Sequence, residues 1–165
     1  MTISVLPGTV ADLPSIMPIM DTAFSPLYGE AWSLTQCTGA LALSGTAILI
    51  ARIGSNKEPK PCGFAIIRTV FDETELLLIG VDPDFHRNGV GTALVNDIVD
   101  RLAKKNVARV HVEVRHDNPA LNFYDRHGFQ KIGERHNYYR RKDGQVGHAL
   151  TLSREIDSRT NQTIV

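Results

Sequence analysis

The apolar positions change their spacing along the chain, and this predicts alternating strands and helices. Residues 75–81 form a short, nearly unbroken apolar run, which predicts a strand covered on both faces. Asp82-Pro83-Asp84 ends that strand, because proline cannot donate to a ladder and aspartate favours turns. From Val90 to Leu102 the apolar residues recur at helical spacing, which predicts an amphipathic helix.

The same patterns predict the remaining elements. Pro18 is expected to kink or break the first helix, and the Ser33–Gln36 capping box predicts the start of the second. The result is one α/β domain over 1–154, a mixed sheet of about seven strands flanked by about four helices, and a polar tail over 155–165. The other strands are predicted at 3–6, 47–53, 62–70, 109–115, 129–138 and 146–152, and the other helices after Thr9 and at 119–127.

Composition narrows the class of protein. The 165 residues carry 18 Lys+Arg and 18 Asp+Glu, so the chain lacks the basic field of a nucleic-acid binder. No apolar run approaches the roughly 20 residues that span a bilayer, and the N-terminus lacks a signal-peptide pattern. Cys37 and Cys62 are expected to be reduced thiols. We therefore expect a cytoplasmic protein with no nucleic-acid or membrane partner; the oligomeric state stays open.

The stretch between the predicted strand and the long helix has the composition of an anion site. It runs Arg87-Asn88-Gly89-Val90-Gly91-Thr92. The first helical turn has backbone N–H groups without intrahelical partners, and its dipole adds roughly half a positive charge. Two glycines let a ligand approach the backbone closely, and Arg87 adds a fixed cation. These residues favour a phosphate or pyrophosphate site over a helix start that merely contains glycines.

Other motifs match less well. A P-loop requires Gly-Lys-Ser/Thr, whereas Gly91 is followed by Thr92-Ala93. A dinucleotide fingerprint requires a third glycine where this chain has Leu94. His111-Val112-Glu113 matches the His-x-Glu of zinc deaminases, but no cysteine follows Cys62 to complete their metal site. The six histidines show no metal-ligand spacing, so no metal is expected.

The glycine-containing segment resembles the acetyl-CoA-binding motif of the GNAT N-acetyltransferases, Q/R-x-x-G-x-G/A. Here it is His86-Arg87-Asn88-Gly89-Val90-Gly91, with His86 in place of the usual Gln or Arg. The resemblance implies the GNAT fold, which has the predicted order of elements, and acetyl-CoA as co-substrate. It also implies contacts to acetyl-CoA from Ile79, Gly80, Val81, Arg87, Asn88, Gly89, Val90, Gly91 and Thr92.

A second group of residues follows the long helix. Glu113 lies on a predicted strand and Tyr124 on a predicted short helix, and a parallel sheet would bring that strand's end beside the anion site. The residues alone do not distinguish a catalytic pair from two structural residues, in which Glu113 is a solvated strand residue and Tyr124 a packing aromatic. The stretches 112–118 and 122–129 resemble the ribosomal-protein alanine N-acetyltransferase branch of the GNAT enzymes. That resemblance implies that Glu113 is the general base, Tyr124 the general acid and Asn118 a CoA contact.

The closing hairpin carries part of the same resemblance. Tyr138 and Tyr139 match this branch, which implies that they bind the acceptor. Two features depart from it: the Asn118–Tyr124 spacing is one residue shorter, and Gly147-His148 replaces an acidic pair. Arg140-Arg141-Lys142 is more typical of a solvated hairpin tip than of a binding site for nucleic acid.

The sequence thus predicts an acetyltransferase that acts on a primary amine. The expected acceptor is the N-terminal α-amine of a protein, such as a ribosomal protein. Two alternatives remain open: the same chemistry on a small-molecule amine, and a non-catalytic acyl-CoA-binding sensor.

Overall fold

A computed structural model describes residues 2–55 and 57–157, and within them seven strands form one sheet. The strands are β1 (Ile3–Pro7), β2 (Thr46–Ile53), β3 (Lys60–Val70), β4 (Glu73–Val81), β5 (Arg109–Arg115), β6 (Gln130–Arg140) and β7 (Val146–Glu155). The α-helices are α1 (Leu13–Ala23), α2 (Leu34–Ala42), α3 (Val90–Lys104) and α4 (Leu121–Arg126). The predicted order of strands and helices is confirmed.

The sheet has the order β1-β2-β3-β4-β5-β7-β6, and all neighbouring strands are antiparallel except β4 and β5. The parallel pairing of β4 and β5 is short, since only Glu73–Glu75 pairs with Arg109–His111. Beyond these residues a cavity lies between the two strands. The carboxyl ends of two neighbouring strands therefore form the walls of an opening in the middle of the sheet.

A β-bulge at Leu77 accompanies this opening. Ile66 of β3 is opposite Leu78 and Ile67 is opposite Leu76, so Leu77 is an extra residue on β4. Consecutive strand residues normally face opposite sides, yet Leu77 and Leu78 both pack with the same apolar cluster. Since a bulge bends its strand and increases the local twist, this one helps to turn β4 away from β5.

Helices cover both faces of the sheet. The buried stripe of α3, at Val90, Leu94, Val95, Ile98 and Leu102, packs in one core with Tyr124 of α4. The buried residues of α1 and Cys37 of α2 form the core on the other face. Strand β4 is thus covered on both faces, as the apolar run over 75–81 predicts.

The ends of the elements confirm some predictions and correct others. The Ser33 hydroxyl accepts the Gln36 N–H, and the Gln36 side chain accepts the Ser33 N–H, so the predicted capping box is present. Pro18 was predicted to kink or break the first helix; the break is wrong, because α1 runs through Pro18 to Ala23, and a kink stays a prediction. Pro18 is exposed, while Ile16, Ile19 and Met20 beside it are buried, and their packing holds the helix together.

The structured part of the chain extends beyond the predicted C-terminal end of the domain. The ordered domain was predicted to end at 154, but Glu155 still pairs with Arg109, and Ile156 is buried and donates its N–H to Ala108 O at 2.8 Å. The part of the predicted tail from residue 158 onward lies outside the described residues.

Two smaller expectations concern the thiols and the membrane. Cys37 and Cys62 are buried and free, as predicted. Among the described residues, no helix has both the length and the apolar character needed to cross a bilayer.

Candidate active site

Two cavities meet on the opened side of the sheet. The first, which we call the strand cavity, has a volume of about 480 Å³ and lies between Leu76–Ile79 of β4 and Val112–Arg115 of β5. The second, the loop cavity, has a volume of about 570 Å³ and lies between the N-terminus of α3 and helix α4. Four residues line both cavities: Ala23, Ile79, Ala120 and Tyr124.

The loop cavity has the backbone and charge features that favour an anion. Gly89 is the N-cap of α3 with φ of 80°, and no side chain caps the helix there. The first-turn N–H groups therefore remain available to a ligand. Arg87 and Arg126 both line the cavity and add two cations. Arg87 itself has φ of 64°, an uncommon conformation for a residue with a side chain and one that concentrates at ligand-binding loops.

Close packing shapes the same helix start. A Cβ at Gly91 would lie 3.2 Å from two ring atoms of Phe123, so glycine lets α4 approach α3. His127 at the end of α4 reaches back to this turn, with its Nε2 at 3.1 Å from Thr92 Oγ1. The two helices are thereby held together at the mouth of the cavity.

Most of the residues predicted to contact acetyl-CoA surround the loop cavity. Its lining includes Ile79, Gly80, Val81, Arg87, Gly89, Val90, Gly91 and Thr92. Asn88 is not part of that lining, and its side-chain amide donates to His86 O at 3.1 Å. Asn118 lines the strand cavity instead, where its Oδ1 accepts the Ala120 N–H at 2.9 Å at the start of α4. A contact from either asparagine to CoA stays a prediction.

Tyr124 lies where the two cavities join. Helix α4 buries this residue to 4% exposure, and the Phe129 ring packs edge-on at 5.3 Å between ring centres. Burial raises the pKa of the Tyr124 hydroxyl well above its ordinary value, and the negative charge of Glu30 raises it further. The hydroxyl therefore stays protonated at neutral pH, which is the state that a proton donor requires.

Glu113 lies on β5 and also lines the strand cavity. Its Oε1 is 3.4 Å from Nε of Arg135, which reaches across from β6. The Arg135 side chain is 59% exposed, so the pair is open to water and contributes little to stability. The structure thus brings the two predicted catalytic residues to one cavity, from a strand and from a helix.

Three residues of this cavity were missed by the sequence analysis. Arg115, at the end of β5, donates from Nε to Glu30 Oε1 at 3.0 Å, and its guanidinium carbon lies 3.2 Å from the centre of the Tyr28 ring. Burial raises the pKa of the Glu30 carboxyl, while the Arg115 cation opposes this rise. Glu30 and Tyr28 lie in the loop between α1 and α2, which has no pattern that marks a site.

The two tyrosines predicted to bind the acceptor differ in position. Tyr139 lines the strand cavity, and burial, followed by the charges of Glu30 and Glu113, raises its pKa to about 12. Tyr138 is 50% exposed and is not part of that lining; the Arg135 guanidinium lies 5.1 Å from its ring centre. A role for Tyr138 in acceptor binding stays a prediction.

The β6–β7 hairpin also brings potential metal ligands together, although their spacing in the sequence gave no such signal. Ligand atoms of Glu134, His136 and His148 lie within 4.8 Å of one another. Two of them already have partners, because His148 Nδ1 accepts the Asn137 N–H and Glu134 accepts from Lys131.

The comparisons with known proteins agree with this geometry. The family model described as "Acetyltransferase (GNAT) family" matches residues 13–129. The chain belongs to the GNAT acetyltransferase family. The ribosomal protein bS18-alanine N-acetyltransferase of Salmonella typhimurium (strain LT2) is 34% identical over 139 residues, which cover 84% of this chain and 86% of that protein.

Two further similarities come from Escherichia coli. The relative of the same name in strain K12 is 42% identical over 87 residues, 52% of this chain, and the match spans only 59% of that relative's length. The crystal structure of the ribosomal-protein-S18-alanine N-acetyltransferase has a TM-score of 0.82 at 29% identity and covers 99% of both chains. The GNAT fold expected from the sequence is confirmed.

Proposed function

We propose that this protein transfers an acetyl group from acetyl-CoA to the N-terminal α-amine of a protein, such as a ribosomal protein. The observation that carries the proposal is the position of Tyr124, which lines both the loop cavity and the strand cavity. A residue that can donate a proton thus lies between the cavities proposed for the two reactants. Similarity to a relative named for an alanine N-acetyltransferase activity, over 84% of this chain, supports the choice of acceptor.

The loop cavity fits the pyrophosphate of acetyl-CoA. The uncapped first turn of α3 offers backbone N–H groups, Arg87 and Arg126 offer positive charge, and no atom lies within 4 Å of the position of a Cβ on Gly89. Acetyl-CoA would supply the acetyl thioester that the acceptor amine attacks directly. By resemblance to the family, the backbone N–H near Val81 would polarise the thioester carbonyl.

Glu113 acts as the base. Its carboxylate takes a proton from the acceptor ammonium, directly or through a water molecule, so that a neutral amine attacks. An α-amine has a pKa of about 7.7–8.0, against about 10.4 for lysine, so more of it is neutral at pH 7. One carboxylate beside the strand cavity is therefore sufficient for an N-terminal acceptor.

Tyr124 acts as the acid. Its hydroxyl is protonated throughout the neutral range, with a pKa that burial keeps above the ordinary value, and it donates this proton to the departing sulfur. The resulting tyrosinate takes up the proton that the attacking nitrogen loses as the amide forms. Tyr139 is protonated in the same range and can donate to a carbonyl oxygen of the acceptor.

A competition experiment tests the acceptor. The enzyme receives acetyl-CoA, a peptide with a free N-terminus, and the same peptide blocked at its N-terminus but carrying one lysine. Mass spectrometry should show acetylation of the free N-terminus first. Faster acetylation of the lysine, or reaction with small amines alone, would refute the acceptor assignment. Absence of CoA release with every amine would favour a sensor instead.

A further inference from the structure

His127 holds the Thr92 hydroxyl at the mouth of the loop cavity, and the neighbours of its ring determine its tautomer. Its Nδ1 lies 2.7 Å from Phe123 O, and a carbonyl oxygen only accepts, so Nδ1 carries the hydrogen. In the neutral ring Nε2 is then an acceptor, 3.1 Å from Thr92 Oγ1. The Thr92 hydroxyl therefore donates its hydrogen to His127, although Thr92 lines the loop cavity. This hydrogen cannot at the same time be donated to a ligand in that cavity.

We propose that His127 takes up a proton from solvent when the pyrophosphate of CoA binds, and that this proton frees the Thr92 hydroxyl for the phosphate. The inference rests on the proposed function, because it extends the assignment of the loop cavity to CoA. A protonated imidazole has two N–H donors. Its Nε2–H then donates to Thr92 Oγ1, and the hydroxyl donates its own hydrogen to a phosphate oxygen. His127 is thus a positioning residue that acts through Thr92.

The charges around His127 give the proton uptake its direction. Arg87 and Arg126 line the loop cavity, and Arg154 of β7 donates from Nη1 to His127 O at 2.8 Å. The first turn of α3 has no acidic residue, and Asp125 on α4 is exposed, so water weakens its attraction for a cation. The arginines therefore disfavour a positive charge on the ring before an anion binds. The pyrophosphate brings negative charge to the cavity and favours the protonated ring.

The packing around His127 suits both protonation states. Its ring centre lies 4.3 Å from that of Phe123, and two atoms of the Phe123 ring lie 3.2 Å from the position of a Cβ on Gly91. The bond from Nδ1–H to Phe123 O is present in the neutral ring and in the protonated ring. Proton uptake therefore reverses the bond between Nε2 and Thr92 Oγ1 without requiring a movement of α4.

The test measures proton uptake on binding, by calorimetry of dephospho-CoA in two buffers of different ionisation enthalpy, neither of them phosphate. Dephospho-CoA keeps the pyrophosphate but lacks the 3′-phosphate of CoA, because a phosphate monoester itself titrates near about pH 6. At pH 7 the wild-type protein should take up roughly 0.3–0.5 of a proton for each ligand bound. The Kd for dephospho-CoA should accordingly be roughly 3–6-fold lower at pH 6 than at pH 8.

Three variants identify the group that takes up the proton. His127→Asn removes the titrating ring and should abolish both the uptake and the difference in Kd between pH 6 and pH 8. Thr92→Val keeps the ring but removes the hydroxyl that receives its hydrogen bond, and should remove most of the uptake. His86→Asn is the matched control, because His86 also lines the loop cavity. This control should keep the proton uptake of the wild type, whatever its affinity.

The outcomes separate the role of His127 from the assignment of the cofactor. Binding without proton uptake in the wild-type protein, or unchanged uptake in Thr92→Val, would overturn that role while the CoA site stands. Loss of the uptake in His86→Asn but not in His127→Asn would overturn it as well. If neither CoA nor dephospho-CoA binds, the cofactor assignment and this inference both fail. Because the wild-type protein decides the first point, a variant that does not fold leaves the test intact.

Discussion

Glu113 and Arg135 form an ion pair across two strands that are not neighbours, with 3.4 Å between Oε1 and Nε. Strand β7 lies between them in the sheet. The pair leaves the carboxylate beside the strand cavity, with a cation on its solvent-exposed side. Arg135 is therefore expected to position the base, and the carboxylate to perform the proton transfer.

Replacing Glu113 tests whether its carboxylate, and not Arg135, performs the proton transfer. Glu113→Gln cannot accept a proton, so kcat should fall roughly 10²–10⁴-fold near neutral pH. The deficit should shrink as pH rises from about 7 to about 9, because more of the α-amine is then already neutral. The release of CoA, followed with a thiol reagent across this range, is the measurement. Arg135→Gln keeps the carboxylate and should lose far less; full activity of Glu113→Gln would refute its role as base.

Tyr124→Phe tests whether Tyr124 is the general acid. The substitution removes the hydroxyl but keeps the ring that packs against Phe129. Turnover should fall by roughly 10²-fold or more, with little change in CoA affinity measured by calorimetry. Since the pKa of Tyr124 is raised, the wild-type rate should show no loss from tyrosine ionisation up to about pH 9. A variant with wild-type turnover would show that Tyr124 only packs.

The parts of the site that the sequence predicted have local causes. A helix start with glycines is visible in consecutive residues, so the sequence alone predicts the loop around Gly89. Glu113 and Tyr124 required the family resemblance, because strand alternation and helix periodicity describe faces and not chemistry. The short pairing of β4 and β5 leaves the opening that both residues line.

The parts that the sequence did not predict depend on tertiary contacts. The Leu77 bulge cannot be recognised in an apolar run whose two faces are both buried. Glu30 acquires its role only because the α1–α2 loop folds over the end of β5, where Arg115 meets it. Only Tyr139 lines the strand cavity, since consecutive strand residues face opposite sides. The register of β6, which shifts against β7 near Asn137, decides which of the two tyrosines does so, and the sequence does not show that shift.

The helix start offers a test of cofactor binding with a close control. Gly89 and Gly144 have φ of 80° and 88°, and a Cβ on either would meet no atom within 4 Å. Alanine at either position should therefore cost a similar, modest backbone strain of about 1–2 kcal/mol. Gly89→Ala should also displace the first-turn N–H groups and weaken CoA binding, whereas Gly144→Ala at the hairpin turn should not. Calorimetry that gives both variants the same CoA affinity would remove the loop from the cofactor site.

The Glu30–Arg115 pair makes a prediction about stability. Glu30→Ala leaves a cation whose side chain is 9% exposed without its partner, and should lower the free energy of unfolding by about 2 kcal/mol. The control is Glu73→Ala, which breaks the ion pair of Glu73 with Arg109. In that pair the Glu73 side chain is 49% exposed and the Arg109 side chain 48% exposed. That exposed pair should contribute less than about 1 kcal/mol. Urea unfolding at neutral pH compares the two variants. Equal losses would mean that water still reaches Arg115 freely, and that the loop carrying Glu30 does not close over the end of β5 in solution.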